Sequence, residues 1–116
     1  MGWRVLRGEI LLVNFEPIVG SEQGRIRPAL VIKNDLFNKL SPLTIVAPIT
    51  SKIYSKEFPT NVFLSKEDSK LKNDSTILLN QIRTIDKGRI VRGLSSLNGH
   101  LMRKVDLAIE VSLGLN

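Results

Sequence analysis

Cysteine is absent from the 116-residue chain. That removes disulfides, a thiolate nucleophile and thiolate-ligated zinc from consideration. Histidine occurs once, as His100. A two-histidine acid–base pair is therefore impossible within one chain, and a histidine-rich metal site is equally disfavoured. The acidic residues are scattered, with no D-x-D spacing and no carboxylate cluster that would cradle Mg²⁺. Gly20 and Gly24 lack a following Gly-Lys-Ser/Thr, so there is no P-loop. Long apolar runs are missing as well. Ile10 to Val13 is too short for a signal-peptide core and has Glu9 beside it, and no run approaches membrane-spanning length. Position 6 is Leu, where a myristoylation signal needs Ser or Thr. The expectation is a cytoplasmic protein with no membrane attachment, no cofactor and no metal.

Negative charge is also in short supply. Asp and Glu number 11 against 17 Lys and Arg, a net charge of +6. Such a surplus favours a polyanionic or acidic partner, nucleic acid or an acidic peptide. Hydrophobic residues make up 42% and charged residues 24%, a globular balance. The length suits one domain spanning residues 1–116, able to bury roughly two-thirds of its unfolded surface.

The elements read in order. Gly8 to Phe15 is a first strand whose consecutive apolar residues imply burial on both faces, and Glu16-Pro17 ends it. A polar loop leads to Arg27-Pro28, followed by a strand over Ala29 to Lys33. Asn34 caps a short turn reaching Lys39. Leu43 to Ile49 is a strand in which Pro48 predicts a bulge or an edge. Ser51 to Pro59 is a loop, Asn61 to Leu64 a short strand, and Ser65 the cap of another helical turn. Ser75 to Ile85 reads as the longest strand, with Ile77, Leu79, Gln81 and Arg83 on one face. Ile90 to Leu97 is a last, weaker extended segment. Asn98 caps a helix that runs to Leu113 and stops at Gly114, with Leu101, Met102, Val105, Ala108, Ile109 and Leu113 as its apolar stripe. Strands first and one long helix last predict a mainly β fold. A strongly curved antiparallel sheet, or small partly closed barrel, is covered by the C-terminal helix.

Arg27 is placed for chemistry. Pro28 fixes its own φ and pushes Arg27 into an extended conformation. The guanidinium thus stands at the root of a strand, beside a glycine-containing loop able to close over a ligand. With thiol, imidazole pair and metal cluster eliminated, an enzyme here must work with Arg, Lys, Ser, Thr, Gln or a lone carboxylate. RNA cleavage suits that set, because RNA carries its own nucleophile, the ribose 2′-hydroxyl. The protein need only position the phosphate and offset the charge that develops on its oxygens. A planar guanidinium with bidentate donors and a neighbouring hydroxyl do this without a metal. DNA, lacking the 2′-hydroxyl, is spared.

Particular residues then carry a resemblance. Arg7-Gly8-Glu9, Gly20-Ser21-Glu22-Gln23-Gly24, Arg27-Pro28-Ala29-Leu30-Val31-Ile32 and Asn34-Asp35 occur in that order. They are followed by Pro48-Ile49-Thr50-Ser51 and Leu79-Asn80-Gln81-Ile82-Arg83-Thr84-Ile85-Asp86. Together these segments, spanning Arg7 to Leu113, resemble the MazF/PemK (Kid) toxin family. The resemblance implies the SH3-like, CcdB/PemK-type fold and a homodimer. It implies a sequence-specific, metal-independent endoribonuclease that cuts single-stranded RNA, leaving 2′,3′-cyclic phosphate and 5′-hydroxyl ends. It also implies neutralisation by a cognate acidic, MazE-like antitoxin. The family's catalytic arginine falls on Arg27 and its catalytic hydroxyl on Thr50. Ser21, Glu22 and Gln81 fall where members contact RNA. Arg25 adds a second cation to the loop where many members carry a small residue, so phosphate contact is shared there. Lys52 and Lys56 are expected to meet phosphates in a sequence-blind, salt-sensitive way. Tyr54 and Phe58 are candidates for stacking on bases, against packing of Phe58 beneath its loop. Arg83 is read as a structural ion-pair residue, His100 as a surface residue and Trp3 as an N-terminal anchor. Two other functions share the fold: a CcdB-like toxin that binds gyrase through its terminal helix, and a single-stranded nucleic-acid binding module without cleavage. Arg27-Pro28 and Thr50 together favour the nuclease.

Overall fold

The computed structural model describes residues 5–16, 26–56 and 58–115. Seven strands run in chain order: β1 (Glu9–Asn14), β2 (Ile26–Val31), β3 (Leu43–Thr50), β4 (Asn61–Leu64), β5 (Ser75–Leu78), β6 (Arg83–Asp86) and β7 (Ile90–Ser96). Three helices accompany them: α1 (Asp35–Leu40), α2 (Lys66–Ser69) and α3 (Gly99–Leu113). The strands form one antiparallel sheet in the order β4-β5-β3-β2-β1-β7, with β6 also paired to β3. Among the described residues no pairing joins β4 to β7, so the curved sheet does not close into a barrel. None of the described helices is long and apolar enough to cross a membrane.

The long strand expected over Ser75 to Ile85 is interrupted. β3 has two partners along one side, β6 opposite Leu43 to Val46 and β5 opposite Ile49 and Thr50. The registers of these two pairings differ by three residues, the length of the 3₁₀ turn Leu79–Gln81 that separates β5 from β6. The segment is one strand with a three-residue excursion, anchored by Leu79, which is fully buried. Asn80 and Gln81 stand exposed on the turn instead of alternating across a sheet. Pro48 belongs to the same switch. The bond from the Ile32 N–H to the Ile45 carbonyl fixes the hydrogen-bonding phase of β2 and β3. By alternation, the nitrogen of Pro48 faces away from β2. There it meets the gap where β6 gives way to β5, so its missing N–H interrupts no ladder.

Curvature comes from β1. Its pairing with β7 shifts register between Ile10 and Leu11 and again between Leu12 and Val13. Such irregularities bend and twist a strand. The apolar run of β1 is buried on both faces, as its composition predicts. Ile10 joins one core with Leu30, Ala47, Ile49, Leu64, Ile77 and Leu79. Leu11 and Val13 join a second core with Val5, Ala29, Val31, Val46, Ile85 and Ile90. Helix α3 lays Leu101, Val105 and Ala108 on the first core. The Asn98 side chain caps it by accepting from the Leu101 N–H at 2.9 Å, and Gly114 ends it at a φ of +72°. Leu113, expected in the apolar stripe, is exposed instead, because it lies beyond the last turn that faces the sheet. His100 is exposed, as expected.

Two polar clusters tie the elements together. Arg7 donates its backbone N–H to Asp35 Oδ1 at 2.6 Å and its Nε to the Ile32 carbonyl at 2.9 Å. Its Nη2 forms an ion pair with Asp106, so the entry to β1 is bound to α1 and to α3. Gly8, at a φ of +96°, donates to the Val31 carbonyl and accepts from the Leu97 N–H beneath the Met102 side chain. The second cluster is centred on Asn38, almost wholly buried. Its Nδ2 donates to the Lys33 carbonyl at 2.9 Å, and its Oδ1 accepts from Thr44 Oγ1 at 2.6 Å. Removing it leaves buried partners unsatisfied, which costs about 1–3 kcal/mol. Asn38→Ala is expected to lower the unfolding free energy by that amount in denaturant titrations; an unchanged midpoint contradicts this role.

Candidate active site

Strands β2 and β3 pair through Ala29↔Pro48, Leu30↔Ala47 and Val31↔Val46. Carried on in the same register, the pairing sets Arg27 opposite Thr50, in the non-hydrogen-bonded type of pair whose Cα atoms lie closest. Arg27 is half-buried within β2 and Thr50, also half-buried, is the last residue of β3. Both line one cavity of about 380 Å³, together with Pro28 and Ser51. Its volume is at the small end of the roughly 300–1,000 Å³ typical of ligand pockets.

Thr50 is oriented by its own chain. Its Oγ1 accepts from the Lys52 N–H at 3.2 Å, and Thr76 Oγ1 donates to the Lys52 carbonyl at 2.8 Å. The loop after β3 is thereby fastened to β5, and the Thr50 hydroxyl keeps its own hydrogen to donate. Lys52 is adjacent to this site through the backbone, and its Nζ lies 4.8 Å from the centre of the Tyr54 ring. Tyr54 meets Phe58 edge-on at 5.8 Å. Phe58 is exposed and not packed beneath its loop.

The remaining expected residues are dispersed. Lys56 lines a second, larger groove of about 610 Å³ with Phe58, Phe63, Leu107 and Val111. Gln81 stands on the 3₁₀ turn and lines neither cavity. Arg83 places its guanidinium 5.0 Å from the centre of the Phe15 ring, a structural contact of cation–π type. Ser21, Glu22, Arg25 and Trp3 lie outside the described residues. No three His, Asp or Glu side chains among the described residues converge to hold a metal ion.

Sequence reading missed the other polar residues that line the cavity: Lys72 and Asn73 from the α2–β5 connection, Ser75 at the start of β5 and Arg92 from β7, with Leu71 and Leu94 beside them. Neither stretch carries a motif, and only the pairing of β7 with β1 carries Arg92 to the site. One local signal exists in the backbone. Lys70 ends α2 at a φ of +62°, the one non-glycine residue with positive φ among those described. A side chain there costs roughly 1 kcal/mol relative to glycine. Lys70→Gly is therefore expected to raise stability by up to about 1 kcal/mol, read as a higher midpoint in thermal or urea unfolding; a lower midpoint contradicts it.

Comparison with known proteins agrees with the fold. A family model described as PemK-like, MazF-like toxin of type II toxin–antitoxin system matches residues 6–113. The endoribonuclease MazF of Staphylococcus saprophyticus is 48% identical over 110 residues, covering 95% of this chain and 92% of its own. The crystal structure of MazF from Deinococcus radiodurans is similar at a TM-score of 0.78 and 27% identity, over 97% of this chain and 99% of that one. A chain of the MazE–MazF structure from the same organism gives 0.79 at 26% identity, over 99% and 100%.

Proposed function

The chain belongs to the PemK-like, MazF-like toxins of type II toxin–antitoxin systems, and from that premise we propose a metal-independent endoribonuclease that cuts single-stranded RNA at the Arg27–Thr50 cavity. The observation that carries this reading is that Arg27 and Thr50, set opposite each other by the register of β2 and β3, line a single cavity. In the reaction the ribose O2′ passes its proton to solvent and forms a bond to the neighbouring phosphorus, while the bond to O5′ breaks and O5′ takes up a proton from solvent. The products are a 2′,3′-cyclic phosphate and a 5′-hydroxyl. Negative charge builds on the non-bridging oxygens as the fifth bond forms. Arg27 offsets that charge with fixed, bidentate donors. Guanidinium stays protonated at neutral pH, so Arg27 acts as electrostatic stabiliser and as a donor toward the leaving oxygen, not as the base. Thr50, held by the Lys52 N–H, gives its hydroxyl hydrogen to a phosphate oxygen.

The same premise supplies the partners. The solved relative pairs MazF with MazE, and a net charge of +6 suits an acidic antitoxin segment as well as RNA. A homodimer acting in the cytoplasm completes the proposal. The groove bordered by Phe58, Phe63, Leu107 and Val111, all exposed in the isolated chain, supports self-association.

Purified protein incubated with a long RNA in EDTA is expected to give discrete fragments with cyclic phosphate ends. Loss of one preorganised donor to a developing charge costs on the order of 10²–10³-fold in rate, so Arg27→Ala is expected to lose at least that while keeping its thermal midpoint. Thr50→Ala is expected to lose activity that Thr50→Ser restores. Undiminished cleavage by Arg27→Ala removes it from the mechanism, and intact RNA with the wild type refutes the nuclease.

A further inference from the structure

The cavity lined by Arg27 and Thr50 is also lined by two cations that the proposed chemistry does not use. Arg92 comes from β7, in the pair Leu12↔Arg92 with β1. Lys72 comes from the connection between α2 and β5. They are distant in sequence yet line the same cavity, and both are exposed.

Their supports are fixed. Leu71 and Leu94, each next to or near one of the two cations, pack against the core beneath α3 and form part of the cavity floor. Ser95 donates its hydroxyl to the Ser69 carbonyl, fastening β7 to the end of α2. Asp74 accepts from the Lys66 N–H at 2.9 Å, and Ser75 Oγ donates to the Asn73 carbonyl at 2.9 Å. The strained left-handed turn at Lys70 delivers Lys72 and Asn73 into this frame.

A single phosphate does not require three cations in a cavity this size. Single-stranded RNA carries a phosphate at every nucleotide, and proteins that hold it line the groove with charges spaced along the backbone. We propose that Arg92 and Lys72 form a second phosphate subsite, gripping a phosphate next to the scissile one while Arg27 and Thr50 act on the bond that breaks. The inference rests on the nuclease reading, and it makes Arg92 and Lys72 positioning residues. They set where the strand lies and leave the chemical step to Arg27 and Thr50.

The test uses an RNA oligonucleotide with a 2′-deoxy sugar at the cleavage position, bound by the full chain across a salt series. Cleavage of the all-ribose version is followed at saturating protein. Each phosphate contact on single-stranded nucleic acid contributes about 0.7 to the slope of log affinity against log salt. Arg92→Ala and Lys72→Ala are each expected to weaken binding and to flatten that slope by about 0.7. The saturating cleavage rate should stay within about twofold, unlike that of Arg27→Ala, since general positioning and transition-state stabilisation separate in this way. Arg92→Lys should keep the slope, and Lys39→Ala, which touches neither cavity, should leave everything unchanged. Should Arg92→Ala fold poorly, Arg92→Gln and the loop variant Lys72→Ala carry the same test. Slopes equal to wild type in a protein that cleaves RNA overturn the subsite, as does a fall in the saturating rate matching that of Arg27→Ala. A wild type that binds with the two-cation slope yet cuts nothing supports the subsite and refutes the nuclease.

Discussion

Three residue pairs between β2 and β3 govern the site. Ala29, Leu30 and Val31 against Pro48, Ala47 and Val46 set the register that carries Arg27 to Thr50. A slip of one residue would turn every side chain of one strand to the opposite face, and the guanidinium and hydroxyl would part. The register is held by burial. Ala29, Leu30, Val31, Val46 and Ala47 are all fully buried, and they are divided between two cores on opposite faces of the sheet. No slipped pairing keeps both cores filled.

The position of the site follows from how the sheet manages its ends. β3 serves three neighbours, and the change from β6 to β5 along its side is made possible by the Leu79–Gln81 turn and tolerated by Pro48. Its final residue, Thr50, is therefore tied to β5 while also lining the open cavity. Arg27 is braced from the other direction, since Pro28 stiffens the strand beside it and pairs with Leu12 of β1. The two groups stand on elements fixed by packing, so the proposed contact with a phosphate requires little movement. Catalysis by preorganised charge depends on that rigidity.

Much of this was legible in the chain. Caps at Asn34, Ser65 and Asn98 and the stop at Gly114 fell where local hydrogen bonding predicts, and the run in β1 announced burial on both faces. Pro28 and the ordered family segments singled out Arg27 and Thr50, which line one cavity. What escaped reading was long-range. A period-two pattern cannot show that β3 has two partners in different registers, so Ser75 to Ile85 looked continuous and Gln81 looked like a sheet residue. Lys72 and Arg92 lie in stretches with no motif, and only tertiary pairing brings them to the cavity. Leu113 continued the helical stripe in sequence after the sheet beneath it had ended.

The central claim is that one phosphate is held by Arg27 and Thr50 together, and it is tested most directly by a crystal structure with a non-cleavable RNA carrying a 2′-deoxy sugar at the cut. Hydrogen bonds of these types have donor–acceptor distances of about 2.7–3.2 Å. The expected result is one phosphate whose non-bridging oxygens lie within that range of both the Arg27 guanidinium and the Thr50 hydroxyl. An RNA strand lying instead along the groove of Phe58 and Leu107, with no phosphate between Arg27 and Thr50, would contradict the account.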